Sequence, residues 1–432
     1  MSPTPSAPAR RAVRVRPERR TRVDVLVSIA IVVVVAIGGA LVWSVSPARH
    51  TVSEPSTQAP EVASASSVPE RVVPAWRATS SATQVPTLGR SVVITGDNGQ
   101  VTGRDPLTGD IRWLYRRDLP LCGVNAAWAT SNDETVAVYR NSRGCGEVTA
   151  LDSGTGQRVG SRSSDADSAV RLVADGGYVV SQGDTRLETW GSNLVRGIEY
   201  GRVDAPVKPG VQPGRTNCRL LSSAVGGDRI AVIERCAGDP GYRLTVLGAV
   251  LDNDEKVKQY GSSLITDRTT GPAPILIGMS TSAIAVYDGG GNAIPAPTPA
   301  PGPTIKQYNT DGAQTGSNSV DGPIAPPTES VSLTSGGLTT YWTGNATVVL
   351  DGQTMRPLYQ VPGTLGPGSV MAASLLLPSR SGISVRDPAT GREQRTLAFS
   401  RDGYGSGMIA VRALGDTIVE QWGATVTGLR PS

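Results

Sequence analysis

The sequence is poor in the residues on which most enzyme chemistry depends. Its 432 residues include a single histidine, His50, and a single phenylalanine, Phe399. A Ser-His-Asp nucleophile needs an imidazole beside its hydroxyl, and no histidine follows position 50. No Ser-x-x-Lys stands in for it, because none of the few lysines has a serine three residues before it. The four cysteines, Cys122, Cys145, Cys218 and Cys236, form neither a Cys-x-x-Cys motif nor an adjacent pair. With His50 so far from them, a zinc or redox centre has no ligand set, so catalytic and metal residues are both expected to be absent. The net charge of +4 does not mark a nucleic-acid binder either. Arg10, Arg11, Arg14, Arg16, Arg19, Arg20 and Arg22 crowd the N-terminus against Glu18 alone, and the remainder is slightly acidic.

What is present begins with a long apolar run. Residues 1–22 are rich in Pro, Ser and Arg and read as a disordered basic tail. Val25 to Val45 follows without a charge, so residues 23–45 are expected to form a transmembrane helix, with Trp43 as an interfacial anchor. A cleaved signal peptide would have a shorter apolar core, and the small-x-small site Ser46-Pro47-Ala48 has proline at its centre. The excess of arginine before the helix, with Arg49 alone just after it, places the N-terminus in the cytoplasm and the rest outside. Residues 46–73, rich in Ser, Pro, Ala, Val and Thr, read as a flexible tether.

From residue 74 onward the chain is Gly-rich and β-patterned. Ser91 to Tyr115 reads as three short strands: an apolar run, a Gly-Asp-Asn-Gly turn, a second run ending at Arg104, then Asp105-Pro-Leu-Thr-Gly109 and a third run from Ile111. Asp152-Ser-Gly-Thr-Gly156 and Asp387-Pro-Ala-Thr-Gly391 repeat that turn after their own strands. The pattern of apolar strand, Gly-rich turn, apolar strand, Asp-x-x-Thr-Gly and Trp113 resembles the repeat of the PQQ-like (quinoprotein-like) β-propellers. That superfamily includes quinoprotein dehydrogenases and non-enzymatic assembly proteins of the bacterial outer membrane. The resemblance implies an all-β propeller of four-stranded blades, each burying its faces against its neighbours.

Third strands near Arg104, Leu151, Thr189, Val250, Tyr308, Leu350, Arg386 and Thr427 count eight blades; seven result if Tyr178 to Tyr200 is not a full sheet. The last repeat stops after its third strand. Residues 75–80 are expected to supply the fourth, closing the ring with one strand from each end and leaving no open edge. In such a blade, Cys122 with Cys145 and Cys218 with Cys236 meet on one face of the disc, the favoured choice among three pairings. Two disulfides agree with an oxidising, extracytoplasmic compartment.

Other chemistry reads poorly. Asp165, Asp167, Asp252, Asp254 and Glu255 lie in polar stretches suited to turns rather than paired catalytic carboxylates. Asp252-Asn-Asp-Glu255 lacks the glycine and terminal glutamate of a calcium loop, and Asp288-Gly-Gly-Gly-Asn292 has no following Lys-Ser/Thr. The quinoprotein dehydrogenases carry a calcium site, a catalytic aspartate and, among alcohol dehydrogenases, adjacent bonded cysteines; this chain has no adjacent pair. No cofactor is therefore expected. The segment with Pro295, Pro297, Pro299, Pro301 and Pro303 favours extended polyproline II, a candidate partner-binding loop on the disulfide-bearing face. Abundant Arg, Ala, Val and Gly with little Lys suits an actinobacterial-type Gram-positive cell. The expectation is a non-enzymatic scaffold or recognition module for envelope proteins or wall material, a functional step resting on fold analogy. A PQQ-dependent oxidoreductase and a ligand sensor are the alternatives.

Overall fold

The structure, a computed structural model, describes residues 21–203, 210–215, 217–266, 272–290 and 302–432. The chain divides into two compact units between Thr51 and Val52. In the first, Arg22–Val45 is one α-helix of 24 residues, long and apolar enough by length and composition to cross a membrane, with none of its side chains buried. Thr21 caps it: its hydroxyl accepts from the Asp24 amide while the Asp24 carboxylate accepts from the Thr21 amide. Of the basic tail only Thr21 and Arg22 fall within the described residues.

The second unit is an eight-bladed β-propeller. Blade one is built from Thr87–Leu88, Val93–Asp97, Gln100–Arg104 and Ile111–Arg117, with Thr51–Glu54 added at its outer edge. Blades two to seven occupy residues 121–163, 171–201, 219–266, 275–319, 332–362 and 369–398, each a four-stranded sheet whose consecutive strands are neighbours. Tyr178 to Tyr200 thus belongs to a full blade, and all eight anticipated third-strand positions fall on third strands. Blade eight takes Ile409–Leu414, Thr417–Trp422 and Thr425–Pro431 from the C-terminus and Val72–Thr79 from the N-terminal side. Val73 pairs with Arg430 and Arg77 with Thr427, so the ring closes by antiparallel pairing as expected.

Burial along each blade explains its strand sequences. Second strands lie mid-sheet, covered on both faces, and in blades two and four they are apolar along their middle: Val136 to Tyr139 and Ile230 to Ile233 are fully buried. Fourth strands form the rim, and Arg158–Ser163 is largely exposed. Separate apolar clusters fill the gaps between successive blades, down to Val93 against Val419 and Val426 where blade one meets blade eight.

The Asp-x-x-Thr-Gly turns join third to fourth strands. The Thr390 hydroxyl and amide both donate to Asp387, holding that carboxyl below its ordinary pKa. Asp351 does the same with Thr354, in a fourth turn whose glycine position is held by Met355 at φ 55°. Each of three glycines seats an aromatic ring from the preceding blade. Trp113 lies over Gly156 and donates to the Ser153 carbonyl at 2.8 Å. Trp76 lies over Gly109 and donates to Pro106, and Tyr359 lies over Gly391 and donates to Pro388. A Cβ at these glycines would strike the ring, and their positive φ disfavours one anyway. The ring partner therefore exists at three junctions, where sequence pattern shows it only through Trp113.

The expected flexible tether is corrected over most of its length. From Val52 onward it belongs to the propeller unit and is laid along one face of the disc. Ser56 donates to the Thr155 carbonyl and Val62 to that of Arg90, Glu61 pairs with the Arg90 guanidinium, and Val62 packs on Gly415. Arg395 then holds the carbonyls of Val68 and Pro69, while Val68 and Val72 enter the core between blades seven and eight. Ser/Pro-rich composition describes an extended chain, and an extended chain can be docked as well as free.

Candidate functional site

Turns between first and second strands, and between third and fourth, share one face of the disc with the docked segment Val52 to Arg71. The opposite face carries the remaining turns and both disulfides, which form as anticipated between Cys122 and Cys145 and between Cys218 and Cys236. Cys122 lies in the innermost strand of blade two and Cys145 at the start of its third strand. Cys218 and Cys236 flank the first two strands of blade four. Their sulfurs gather near the buried Glu234 carboxylate, but disulfide sulfur offers no thiolate to a metal. Glu234 instead accepts from Tyr200 and Thr245 and pairs with Arg215. Of the proline segment only Pro303 is described; Pro295, Pro297, Pro299 and Pro301 lie outside the described residues.

Several buried carboxylates elsewhere are held by cations, while Asp133 accepts from the Arg90 amide and Glu134 from Asn132. Glu188 sits among Arg162, Arg186 and Arg196, and accepts from the Trp190 indole. Glu420 accepts two bonds from Arg401, and Asp288 pairs with Lys306 at 2.8 Å. Of the carboxylates considered from sequence, Asp167 ties the amides of Thr185 and Arg186 to the preceding blade, and Asp252 closes its own hairpin. Asp165 faces Arg143 at the surface. The propeller contains no histidine, and these carboxylates do not form a free acid–base pair. Trp190 and Trp342 are buried in the blades and Trp422 packs edge-on against Tyr404, so packing accounts for all three.

The ring encloses a central hollow of about 400 Å³. First strands of seven blades reach it: Thr87, Cys122 to Asn125, Val170 to Ala174, Ser223 to Val225, Ile275 to Met279, Ser332 to Thr334, and Arg412. Its wall mixes aliphatic side chains with a larger share of polar surface, carries two guanidiniums, Arg171 and Arg412, and has no carboxylate among the described residues. Arg412 reaches only the Pro86 carbonyl, at 3.3 Å, and burial draws its pKa below the ordinary value. Tyr341, Ser223 and Ser330 belong to the same wall, and their buried hydroxyls have no partner among the described residues. Burial pushes the Tyr341 phenol up, Tyr287 adds to this and Arg171 opposes it, so the hydroxyl keeps its proton. Neither arginine stands out in sequence; ring closure alone turns them inward.

No established protein family and no curated protein matches the chain. Among solved structures it is similar to BamB from Moraxella catarrhalis, with 11% identity, 83% of this chain and 99% of that one covered, and a TM-score of 0.48. Dihydro-heme d1 dehydrogenase NirN in complex with DHE gives 13% identity, coverage of 73% and 66%, and a TM-score of 0.47. The Neurospora crassa Pan2 WD40 domain gives 11% identity, coverage of 72% and 89%, and a TM-score of 0.43. These likenesses concern the course of the chain and leave its chemistry to be read from its own residues.

Proposed function

We propose that the protein is a non-catalytic, membrane-tethered, extracytoplasmic scaffold whose disulfide-bearing face receives envelope proteins. The observation that carries this reading is the asymmetry of the two faces. One is partly covered by the chain's own docked segment across blades seven, eight, one and two. The other is uncovered by that segment, and its turns are braced by both disulfides. A braced surface loses little conformational entropy on binding, which favours recognition of a protein partner. The disulfides and the apolar helix together support an oxidising compartment outside the membrane.

Arg143, Arg219 and Arg380 are exposed on the disulfide-bearing face, and Arg158, Arg356 and Arg392 on the other. Cross-linking followed by capture of the full-length protein from mild-detergent membranes should recover a reproducible set of envelope proteins. Reversal of the first three arginines to Glu is expected to remove that set while reversal of the second three retains it. Equal loss from both variants, or no partner with the native protein, would overturn the assignment.

A further inference from the structure

The central hollow is lined by two arginines and by no carboxylate among the described residues. Several other deeply placed arginines are matched: Arg186 holds Glu188 and Glu199, Arg401 holds Glu420, and Arg215 holds Glu234. Arg171 and Arg412 face the hollow without any ion pair among the described residues. Guanidinium does not deprotonate at physiological pH, so both carry full charge at the wall of the hollow. Tyr341 at 1% exposure, Ser223 at 7% and Ser330 at 7% are buried behind the wall, with hydroxyls that have no partner among the described residues.

We propose that the hollow is a binding site for a small oxyanion, a phosphate or a carboxylate, held by Arg171 and Arg412. The planar fork of guanidinium matches the paired oxygens of both groups, and the absence of a competing carboxylate leaves those forks available. A volume of about 400 Å³ admits a small metabolite and excludes a folded partner. This site is separate from the partner-binding face, so loss of either reading leaves the other standing.

The test is calorimetric titration of full-length protein in detergent with inorganic phosphate and, separately, citrate, against chloride at equal ionic strength. Saturable binding of at least one oxyanion, with a dissociation constant of about 1 mM or tighter, is expected. Phosphate alone would indicate a phosphate ester as the ligand class, and citrate alone a carboxylate. Arg171→Gln or Arg412→Gln should weaken binding about tenfold or more by removing a charge-assisted donor. Ser223→Asp, which sets a negative charge in the wall, should abolish it in a protein of unchanged circular dichroism. If neither anion binds, or if binding persists in Ser223→Asp and in both arginine variants, the assignment is wrong.

Discussion

A chain that begins at Ser80 is expected to aggregate, whereas one that begins at Val52 folds as a monomer. Removing Val72–Thr79 strips blade eight of its outer strand and leaves Thr425–Pro431 as an open edge. It also removes Val68 and Val72 from the core between blades seven and eight, and the Trp76 ring from its seat on Gly109. Each fully buried aliphatic side chain is worth about 1.5–3 kcal/mol. Together with the lost strand pairing, the deficit approaches the roughly 5–15 kcal/mol by which a native domain exceeds its unfolded state. A chain starting at Arg71 keeps the closing strand and loses only the docked segment, so its stability should be intermediate. Light scattering and urea unfolding of the three chains would decide the matter; a monomeric Ser80 chain with the Val52 chain's urea midpoint would show that closure contributes nothing.

Arg401→Met should destabilise the propeller by about 3–5 kcal/mol, the usual consequence of leaving a buried charge unpaired. Arg401 donates to both oxygens of Glu420, at 2.8 and 2.7 Å, and to the carbonyls of Ser379 and Gly382. Glu420 is fully buried in the second strand of blade eight, so one guanidinium joins it to the hairpin of blade seven. The double change Arg401→Met with Glu420→Met should recover most of the loss, because it removes both desolvated charges.

A pH dependence distinguishes this cause from simple loss of packing. Burial pushes the Glu420 carboxyl above its ordinary value of 4.5, and Arg401 is the group that opposes the shift. Without Arg401 the folded-state pKa rises further. A raised folded pKa contributes stability that is fully present below the unfolded pKa and lost as pH rises through the folded one. The deficit of Arg401→Met should therefore shrink as pH falls from 8 toward 5 and vanish from the double variant's pH profile. An equal deficit at every pH would mean that Glu420 is not the cause.

What could be read in the sequence was local. The Asp-x-x-Thr-Gly turn closes on itself through Asp and Thr side chains within four residues, so it survives as a pattern and marks the third strand of its blade. The aromatic that seats on that turn comes from the preceding blade. Trp113 and its acceptor Ser153 are 40 residues apart, and no spacing rule links Trp76 to Gly109 or Tyr359 to Gly391. Met355 hid a fourth turn because a non-glycine residue occupies the left-handed position. The cysteine pairing was legible because both partners of each bond belong to one blade. Arg171 and Arg412 were not, since a strand arginine ordinarily points to solvent and only eight-fold closure places these two around a common hollow. The docked segment was misread for a related reason: its partners lie at both ends of the propeller sequence, Arg90 and Thr155 near its start and Arg395 and Gly415 near its end.

The most direct test of the whole account is the redox state of the four cysteines in intact cells producing the full-length protein. Alkylation of free thiols before lysis, followed by reduction and a second, heavier alkylating label, separates bonded from free cysteine by mass. Cys122, Cys145, Cys218 and Cys236 should carry the second label alone, as a propeller held outside the membrane and braced by two disulfides requires. All four carrying the first label in a folded protein would place the propeller in a reducing compartment and contradict the tethered, extracytoplasmic scaffold.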